Sequence, residues 1–174
     1  MRREKEMYKP KKKFMKLAIA EAKKYNKKIN ALPIGAVVVR DDKVIAKSGQ
    51  TSVYLHDPSG HAEIAAIRIA GKKLKTNFLH DCILYSTNEP CIMCAGACVW
   101  SGIKGIVYGA NIKDMEEFWV KKKKIKKSKF RMIYIKNKYV LKKSKPKNTF
   151  FLIEDFMRDE CKALFKYSPN PYKK

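Results

Sequence analysis

Two short motifs constrain this chain more than any other feature of its 174 residues. The first is His61-Ala62-Glu63, and the second is Pro90-Cys91-Ile92-Met93-Cys94. Two cysteines three residues apart at a helix N-terminus can both face one metal ion, and a histidine from a second helix start adds a third ligand. Three protein ligands leave one position of a catalytic zinc for water, whereas four ligands close a structural zinc. The spacing therefore predicts one catalytic zinc ion per chain, held by His61, Cys91 and Cys94.

Glu63 follows the predicted histidine ligand by only two residues. This spacing is too short for a second ligand in relaxed geometry, but it places a carboxylate beside water at the metal. A carboxylate there can take a proton from water and pass it to a departing group, so we expect Glu63 to act as a proton shuttle. Cys98 lies one helical turn beyond Cys94, and we expect it to pack within its helix, because a fourth sulfur ligand would close the site.

The charge of the chain is extreme and uneven. Lysine and arginine number 40 against 16 acidic residues, a formal net charge of +24. Residues 121–149 contain 14 basic and no acidic residues, and residues 1–12 form a second basic segment, a tail. Such a surface favours phosphate binding, so Lys121–Lys147 is a candidate contact for nucleic acid. The alternative is a biased, lysine-rich composition whose charges are simply solvated.

Cysteine usage and hydrophobicity indicate a cytoplasmic protein with no membrane partner. Five cysteines without an apolar export signal argue against a disulfide framework. No apolar run reaches the length of a membrane span. The length suits one domain, and no linker divides the chain, so we treat residues 1–174 as a single domain that includes the lysine-rich segment 121–149.

Hydrophobic periodicity predicts alternating helices and strands. Apolar spacing predicts helices over Phe14–Tyr25, His61–Ala70 and Pro90–Trp100, and a C-terminal amphipathic helix over Ile153–Leu164. Short apolar runs predict strands at Ile34–Val39, Lys43–Lys47, Cys82–Ser86, Ile103–Tyr108, Phe130–Ile135 and Tyr139–Leu141. Asp41-Asp42 falls where a tight turn joins the first two strands. The order predicts an α/β fold with three layers, α/β/α, around a central mixed sheet.

Two stretches around the motifs resemble a known group of enzymes. They are His56-Asp57-Pro58-Ser59-Gly60-His61-Ala62-Glu63-Ile64 and Glu89-Pro90-Cys91-Ile92-Met93-Cys94-Ala95-Gly96-Ala97. Over about Phe14 to Ala110 the chain resembles the cytidine-deaminase-like superfamily, in the branch of tRNA adenosine deaminase, guanine deaminase and cytosine deaminase. The resemblance implies a five-stranded sheet, a homodimer and one Zn²⁺ per chain. It also implies His61, Cys91 and Cys94 as ligands and Glu63 as the proton shuttle.

The resemblance further suggests substrate contacts, with some departures from the family pattern. These enzymes carry asparagine eleven residues before the zinc histidine, where this chain has Gln50, whose longer side chain changes the depth of the pocket. The resemblance also implies Ala62 as a substrate contact. The C-terminal residues look like those of guanine deaminases, which makes Tyr172 a candidate lid residue. Guanine deaminases use an acid at a distance where this chain has Lys122.

Three functions remain open on sequence alone. The first is deamination of adenosine to inosine in tRNA, which the motif match and the lysine-rich segment favour. The second is deamination of a free base, guanine or cytosine, which the C-terminal residues favour. The third belongs to another class, a nucleic-acid-binding protein on an inactive deaminase scaffold, and the intact metal motif argues against it.

Overall fold

A computed structural model of the protein describes residues 8–122, 126, 132–144 and 150–169. Within these ranges the strands are β1 Gly35–Arg40, β2 Lys43–Gly49, β3 Cys82–Asn88, β4 Gly105–Ala110 and β5 Phe151–Ile153. The α-helices are α1 Lys12–Ile29, α2 Ser52–Leu55, α3 Ala62–Leu74, α4 Ile92–Trp100, α5 Ile112–Glu117, α6 Asn137–Lys143 and α7 Arg158–Lys162. A π-helical turn at Phe118–Lys122 extends α5, and a 3-10 helix at Ala163–Tyr167 extends α7. No helix in these ranges is long and apolar enough to cross a bilayer.

The five strands form one mixed sheet in the order β2-β1-β3-β4-β5. Strand β1 is antiparallel to both β2 and β3, whereas β3, β4 and β5 run parallel. The β1–β2 connection is tight because Asp41 and Asp42 both adopt positive φ, 48° and 59°, as a two-residue hairpin turn with matching twist requires. The predicted mixed sheet of about five strands is confirmed.

Side-chain alternation along β3 shows that helices cover both faces of the sheet. Tyr85 packs against Phe14 of α1, with ring centroids 5.4 Å apart. The next residue, Ser86, points to the opposite face, where its hydroxyl donates to Glu63 of α3. A Cβ atom at Gly109 of β4, on the α1 face, would contact Cys161 of α7. Helices α1 and α7 therefore form one outer layer and α3 with α4 the other, which confirms the α/β/α fold.

The lysine-rich segment departs from prediction. Tyr139–Leu141 was expected to be a strand and is part of α6. The prediction was wrong because tyrosine and valine favour strands in isolation, whereas burial here follows the helical period: Asn137 and Leu141 are buried, four residues apart. Of the predicted strand Phe130–Ile135, residues 130 and 131 lie outside the described ranges, and residues 132–135 form no regular element.

The C-terminal region was also predicted incorrectly in detail. Ile153 was expected to begin an amphipathic helix, but it ends β5, which is the fifth strand of the sheet. The helix begins only at Arg158, after Asp155 and Met157, which both adopt a left-handed backbone conformation. Phe151 and Leu152 are buried against β4. The apolar run Phe150–Ile153, of four residues, is too short for periodicity to separate a strand from a helix.

Candidate metal centre and active site

The starts of two helices bring the predicted metal ligands together. His61 is the N-cap residue of α3, and Cys91 is the N-cap residue of α4, both with extended backbone. Cys94 lies in the first turn of α4 and is fully buried. Because the first backbone N–H groups of a helix have no partner within it, these helix ends carry partial positive charge. That charge favours thiolates at this position.

The three donor atoms fit a tetrahedral zinc ion. The distances from His61 Nδ1 to the sulfur atoms of Cys91 and Cys94 are both 3.6 Å, and the two sulfur atoms are 3.7 Å apart. A tetrahedron with ordinary Zn–S and Zn–N bonds has S···S edges of about 3.8 Å and S···N edges of about 3.6 Å. Among the described residues, no other side chain joins this cluster. His61, Cys91 and Cys94 could therefore hold a metal ion with one face of its coordination sphere left to water.

The ionisation of Cys91 also suits a metal site, whereas the hydrogen bond to Cys91 and burial raise the pKa of Cys94 as long as its thiol keeps the shared proton. Hydrogen bonds from the Cys94 thiol and from His61 lower the pKa of Cys91 to about 4, against the opposing effect of burial. The hydrogen bond to Cys91 raises the pKa of His61. Cys91 is therefore a thiolate at neutral pH, the form in which cysteine binds metals.

Glu63 lies beside this cluster, on the first turn of α3. It is 3% exposed. Its Oε1 accepts a hydrogen bond from the Ser86 hydroxyl at 3.0 Å, and its Oε2 is 3.6 Å from the Cys94 sulfur. Burial raises the pKa of this carboxyl above its ordinary value. A carboxyl group held in this way can both accept and release a proton next to a metal ion.

A cavity of about 660 Å³ opens onto the cluster. Its polar lining comes from Gln50, His61, Glu63, Asn88, Glu89 and Cys91. Its apolar lining comes from Leu32, Ile34, Ile92, Met93, Met115, Trp119, Met132 and Ile133. A mostly apolar lining with a few polar groups, among them the metal ligands, suits a heteroaromatic ring with a polar edge.

The predicted substrate contacts are distributed unevenly. Gln50 lines the cavity and is 5% exposed; its Nε2 donates to Ser52 at 3.2 Å, and its Oε1 has no partner among the described residues. Ala62 is fully buried as the first residue of α3, and its side chain is not part of the described cavity lining. Tyr172 lies outside the described residues.

The lysine-rich segment contributes to the site in a way that sequence reasoning missed. Met132 and Ile133 form part of the cavity wall. Asn137, the first residue of α6, is buried; its Nδ2 donates to the Pro90 carbonyl at 3.0 Å and to Glu89 Oε1 at 3.3 Å. These bonds fasten α6 to the residues that precede the metal-binding helix α4. No motif signalled this contact, since a lone asparagine in a lysine-rich stretch is an ordinary surface residue.

The fold and the metal cluster together define a class of protein. Residues 8–110 match the sequence profile of the cytidine and deoxycytidylate deaminase zinc-binding region, and the chain belongs to this family. The matched range includes all three cluster residues, so His61, Cys91 and Cys94 are the residues that could hold the zinc ion of this domain.

Particular relatives share much of this region. The chain is 44% identical to the tRNA-specific adenosine deaminase of Buchnera aphidicola over 105 residues, 60% of this chain and 64% of the relative. It is 45% identical to the guanine deaminase of Bacillus subtilis over 85 residues, 49% of this chain and 54% of that enzyme. The chain thus spans less than two thirds of the length of these relatives. The solved structure of guanine deaminase from Bacillus subtilis is 29% identical, with a TM-score of 0.60, covering 81% of this chain and 99% of that one.

Proposed function

We propose that this protein is a hydrolytic deaminase that replaces the exocyclic amine of a nucleobase with oxygen. The observation that carries the proposal is the cluster of His61, Cys91 and Cys94 with the buried carboxyl of Glu63 beside it. Zinc held by these three residues supplies a Lewis acid that makes water nucleophilic at neutral pH. In the overall reaction the base and water give a carbonyl and ammonia: one C–O bond forms and the C–N bond to the amine breaks.

Glu63 performs the proton transfers. Its carboxylate takes a proton from the attacking water and delivers it to the ring nitrogen beside the reacting carbon. A second transfer takes the remaining proton of the attacking oxygen to the amine, which leaves as ammonia. Ser86 holds Oε1 of Glu63, which leaves Oε2 directed towards the metal ligands. The raised pKa of Glu63 suits a group that must carry a proton between two steps.

The proposed substrate is adenosine in tRNA, which the reaction converts to inosine. The identity to tRNA-specific adenosine deaminases supports this choice. In this proposal Gln50 contacts the base or ribose through its free amide oxygen, Ala62 borders the bound base, and Tyr172 helps to close the site.

A basic surface beside the cavity supports an RNA substrate. Four lysines of segment 136–143 are exposed, as are two tyrosines: Lys136, Lys138, Lys142, Lys143, Tyr134 and Tyr139. Met132 and Ile133, a few residues earlier in the chain, line the cavity. Phosphates that flank a base in the cavity would therefore meet these lysines, and unpaired bases can stack on exposed tyrosines. We propose this part of Lys121–Lys147 as the described portion of the RNA contact.

A specific observation favours a second candidate, deamination of free guanine. Among solved structures, the likeness to guanine deaminase extends over 81% of this chain, whereas the likeness to a tRNA:A34 deaminase covers 57%. Free cytosine is a third possible base for the same chemistry. The apolar cavity suits any of these rings, so the choice among them rests on measured activity.

We further propose a homodimer and a cytoplasmic location. An apolar groove of about 650 Å³ lies along α4 and α6. Two of its lining residues are the proposed interface aromatics: Trp100, which is 86% exposed, and Phe78, which is more than half exposed. Large exposed aromatic side chains in one groove are typical of a subunit interface. All five cysteines are free thiols, as expected in a reducing compartment.

The test is a substrate panel with a matched inactive variant. Ammonia release is measured with a tRNA anticodon stem-loop, adenosine, guanine and cytosine, together with bound zinc per chain. We expect turnover of the stem-loop with one zinc per chain, and we expect Glu63→Gln to lose at least about 100-fold in kcat while it retains zinc. Turnover of guanine alone selects the second candidate. A zinc-free protein that binds RNA and is unaffected by Glu63→Gln would instead be a binding protein on an inactive scaffold.

A further inference from the structure

The C-terminal end of β3 carries a buried amide that the proposed mechanism does not use. Asn88 is 5% exposed and lines the cavity together with His61 and Glu63. Its Nδ2 donates to the backbone carbonyl of Glu89 at 3.3 Å. Its Oδ1 is buried and has no hydrogen-bond partner among the described residues.

The orientation of this amide is fixed by chemistry. A carbonyl oxygen can only accept, so the atom of Asn88 that faces the Glu89 carbonyl must be the NH₂ group. The free atom is therefore the oxygen, a hydrogen-bond acceptor. A buried acceptor without a partner destabilises the folded protein, and folded proteins rarely keep one without another use for it.

Asn88 is also linked, through Ser86, to Glu63, the proposed proton carrier. The Ser86 hydroxyl contacts Glu63 Oε1 at 3.0 Å and accepts from the backbone N–H of Asn88 at 3.3 Å. Because side chains alternate along a strand, Ser86 and Asn88 face the same side of the sheet, the side of the metal ligands. The free acceptor thus lies on the face where Glu63 exchanges protons with the substrate.

We infer that Asn88 Oδ1 accepts a hydrogen bond from the exocyclic amine of the substrate as that amine leaves. This inference rests on the proposed deamination, but it does not depend on which base is deaminated. Every candidate base carries the amine, whereas a ring N–H beside the reacting carbon is present in guanine and absent from adenosine and cytosine. The amine is therefore the donor that an acceptor at this position can meet in all of them.

The bond strengthens as the reaction proceeds. In the bound base the amine is planar and shares its electron pair with the ring. After water adds to the carbon, the amine nitrogen becomes tetrahedral and takes the proton that Glu63 delivers, giving an –NH₃⁺ group. The C–N bond then breaks with its electron pair going to nitrogen, and ammonia departs. An acceptor binds the cationic form more strongly than the neutral one, so Asn88 stabilises the transition state more than the bound substrate.

The experiment compares leaving groups with and without N–H donors. The variants are Asn88→Leu, which removes the acceptor at similar volume, and Asn88→Gln, which keeps both the acceptor and an NH₂ donor. The substrates are a tRNA stem-loop with adenosine at the target position and the same stem-loop with 6-chloropurine riboside, whose chloride cannot donate. If guanine is the substrate, 2-chlorohypoxanthine takes the place of the chloro analogue. The thermal midpoint Tm is measured for each protein in parallel.

We expect Asn88→Leu to lower kcat for the amine substrate by about 10- to 100-fold, the loss of one hydrogen bond to a charged partner. The kcat for the chloro substrate should fall by less than about 3-fold, which is less than the loss expected for the amine substrate. Asn88→Gln should retain more activity on the amine substrate than Asn88→Leu. The Tm of Asn88→Leu should stay close to that of the wild type, because the variant removes a buried unpaired acceptor together with one bond of 3.3 Å to the Glu89 carbonyl.

Two results would overturn the inference. One is an equal loss on both substrates, which would mean that Asn88 contacts the ring or supports the site structurally. The other is wild-type activity in Asn88→Leu. A wild-type enzyme that turns over no base would remove the proposed function itself, and the two failures are therefore distinguishable.

Discussion

Two groups on β3, the Ser86 hydroxyl and the Asn88 backbone N–H that donates to it, position the carboxyl of Glu63. The Ser86 hydroxyl is the side chain that holds Glu63 Oε1, and it is fully buried. We expect Ser86→Ala to lower kcat by about 10-fold, the effect of one buried hydrogen bond, with little change in KM or zinc content. Steady-state kinetics with metal analysis measures this effect. Ser48→Ala is the matched control, since Ser48 is also buried on a strand but its hydroxyl donates to the neighbouring backbone carbonyl of Gly49.

The metal ligands could be predicted from sequence, whereas their supporting residues could not. His61, Cys91 and Cys94 occur at a spacing that has few other uses, and the structure brings them together. Ser86 and Asn88 lie at the end of an apolar strand, where small polar residues are common. Their role emerges only when the partner across the sheet is known. Once Glu63 is assigned to the face above β3, alternation along the strand identifies both residues.

At the scale of elements, an ion pair joins α5, which follows β4, to α7, which follows β5. Arg158 of α7 makes two hydrogen bonds of 2.8 Å to the Asp114 carboxylate of α5, and Lys162 adds a third contact at 3.1 Å. The side chain of Asp114 also caps its own helix through Asn111. Burial opposes ionisation of Asp114, but these bonds outweigh it and lower its pKa from 3.8 to about 2.

This shift predicts a pH dependence of stability. Because folding lowers the pKa of Asp114, the stabilisation is complete above pH 3.8 and is lost as the pH falls towards 2. We expect Asp114→Asn to lower the free energy of unfolding by about 2 kcal/mol at neutral pH, and the difference from wild type to shrink between pH 4 and 2. Denaturant titration at several pH values measures it. Asp81→Asn, the same substitution at an exposed position, is the matched control, and its loss of free energy of unfolding at neutral pH should be within about 0.5 kcal/mol.

Apart from the short helix α2, which falls in a stretch expected to be a loop, the elements of the first 110 residues could be predicted because each carries a periodic apolar pattern or a distinct turn. The later elements could not. Helix α6 contains strand-favouring residues, and it is held as a helix by tertiary contacts of Asn137 with Glu89 and Pro90. Strand β5 has only three residues, and its pairing with β4 determines that it is a strand. In both cases the deciding contacts are distant in sequence, where local propensity carries no information.

At the scale of the whole molecule, we expect only the part of the +24 net charge that lies near the cavity to contact the proposed RNA substrate. Helix α6, which carries most of the exposed lysines of segment 136–143, packs against α4, whereas α1, with its own exposed lysines, packs on the opposite face of the sheet from α3. These two regions provide two sets of four exposed lysines, with equal charge but on different parts of the surface. The first set is Lys136, Lys138, Lys142 and Lys143, and the second is Lys16, Lys23, Lys27 and Lys28.

Replacing the first set by glutamine should weaken binding of a tRNA stem-loop and flatten its salt dependence. Each lost phosphate contact reduces the magnitude of the slope of log K against log salt concentration by about 0.7–0.9. The loss of up to four contacts can therefore be counted from the change in slope. The variant should raise KM for the stem-loop and leave kcat largely intact, since the metal cluster is untouched. The second set, changed in the same way, removes the same net charge and should have a much smaller effect. Equal weakening by both sets would mean that overall charge, rather than a surface next to the cavity, attracts the RNA.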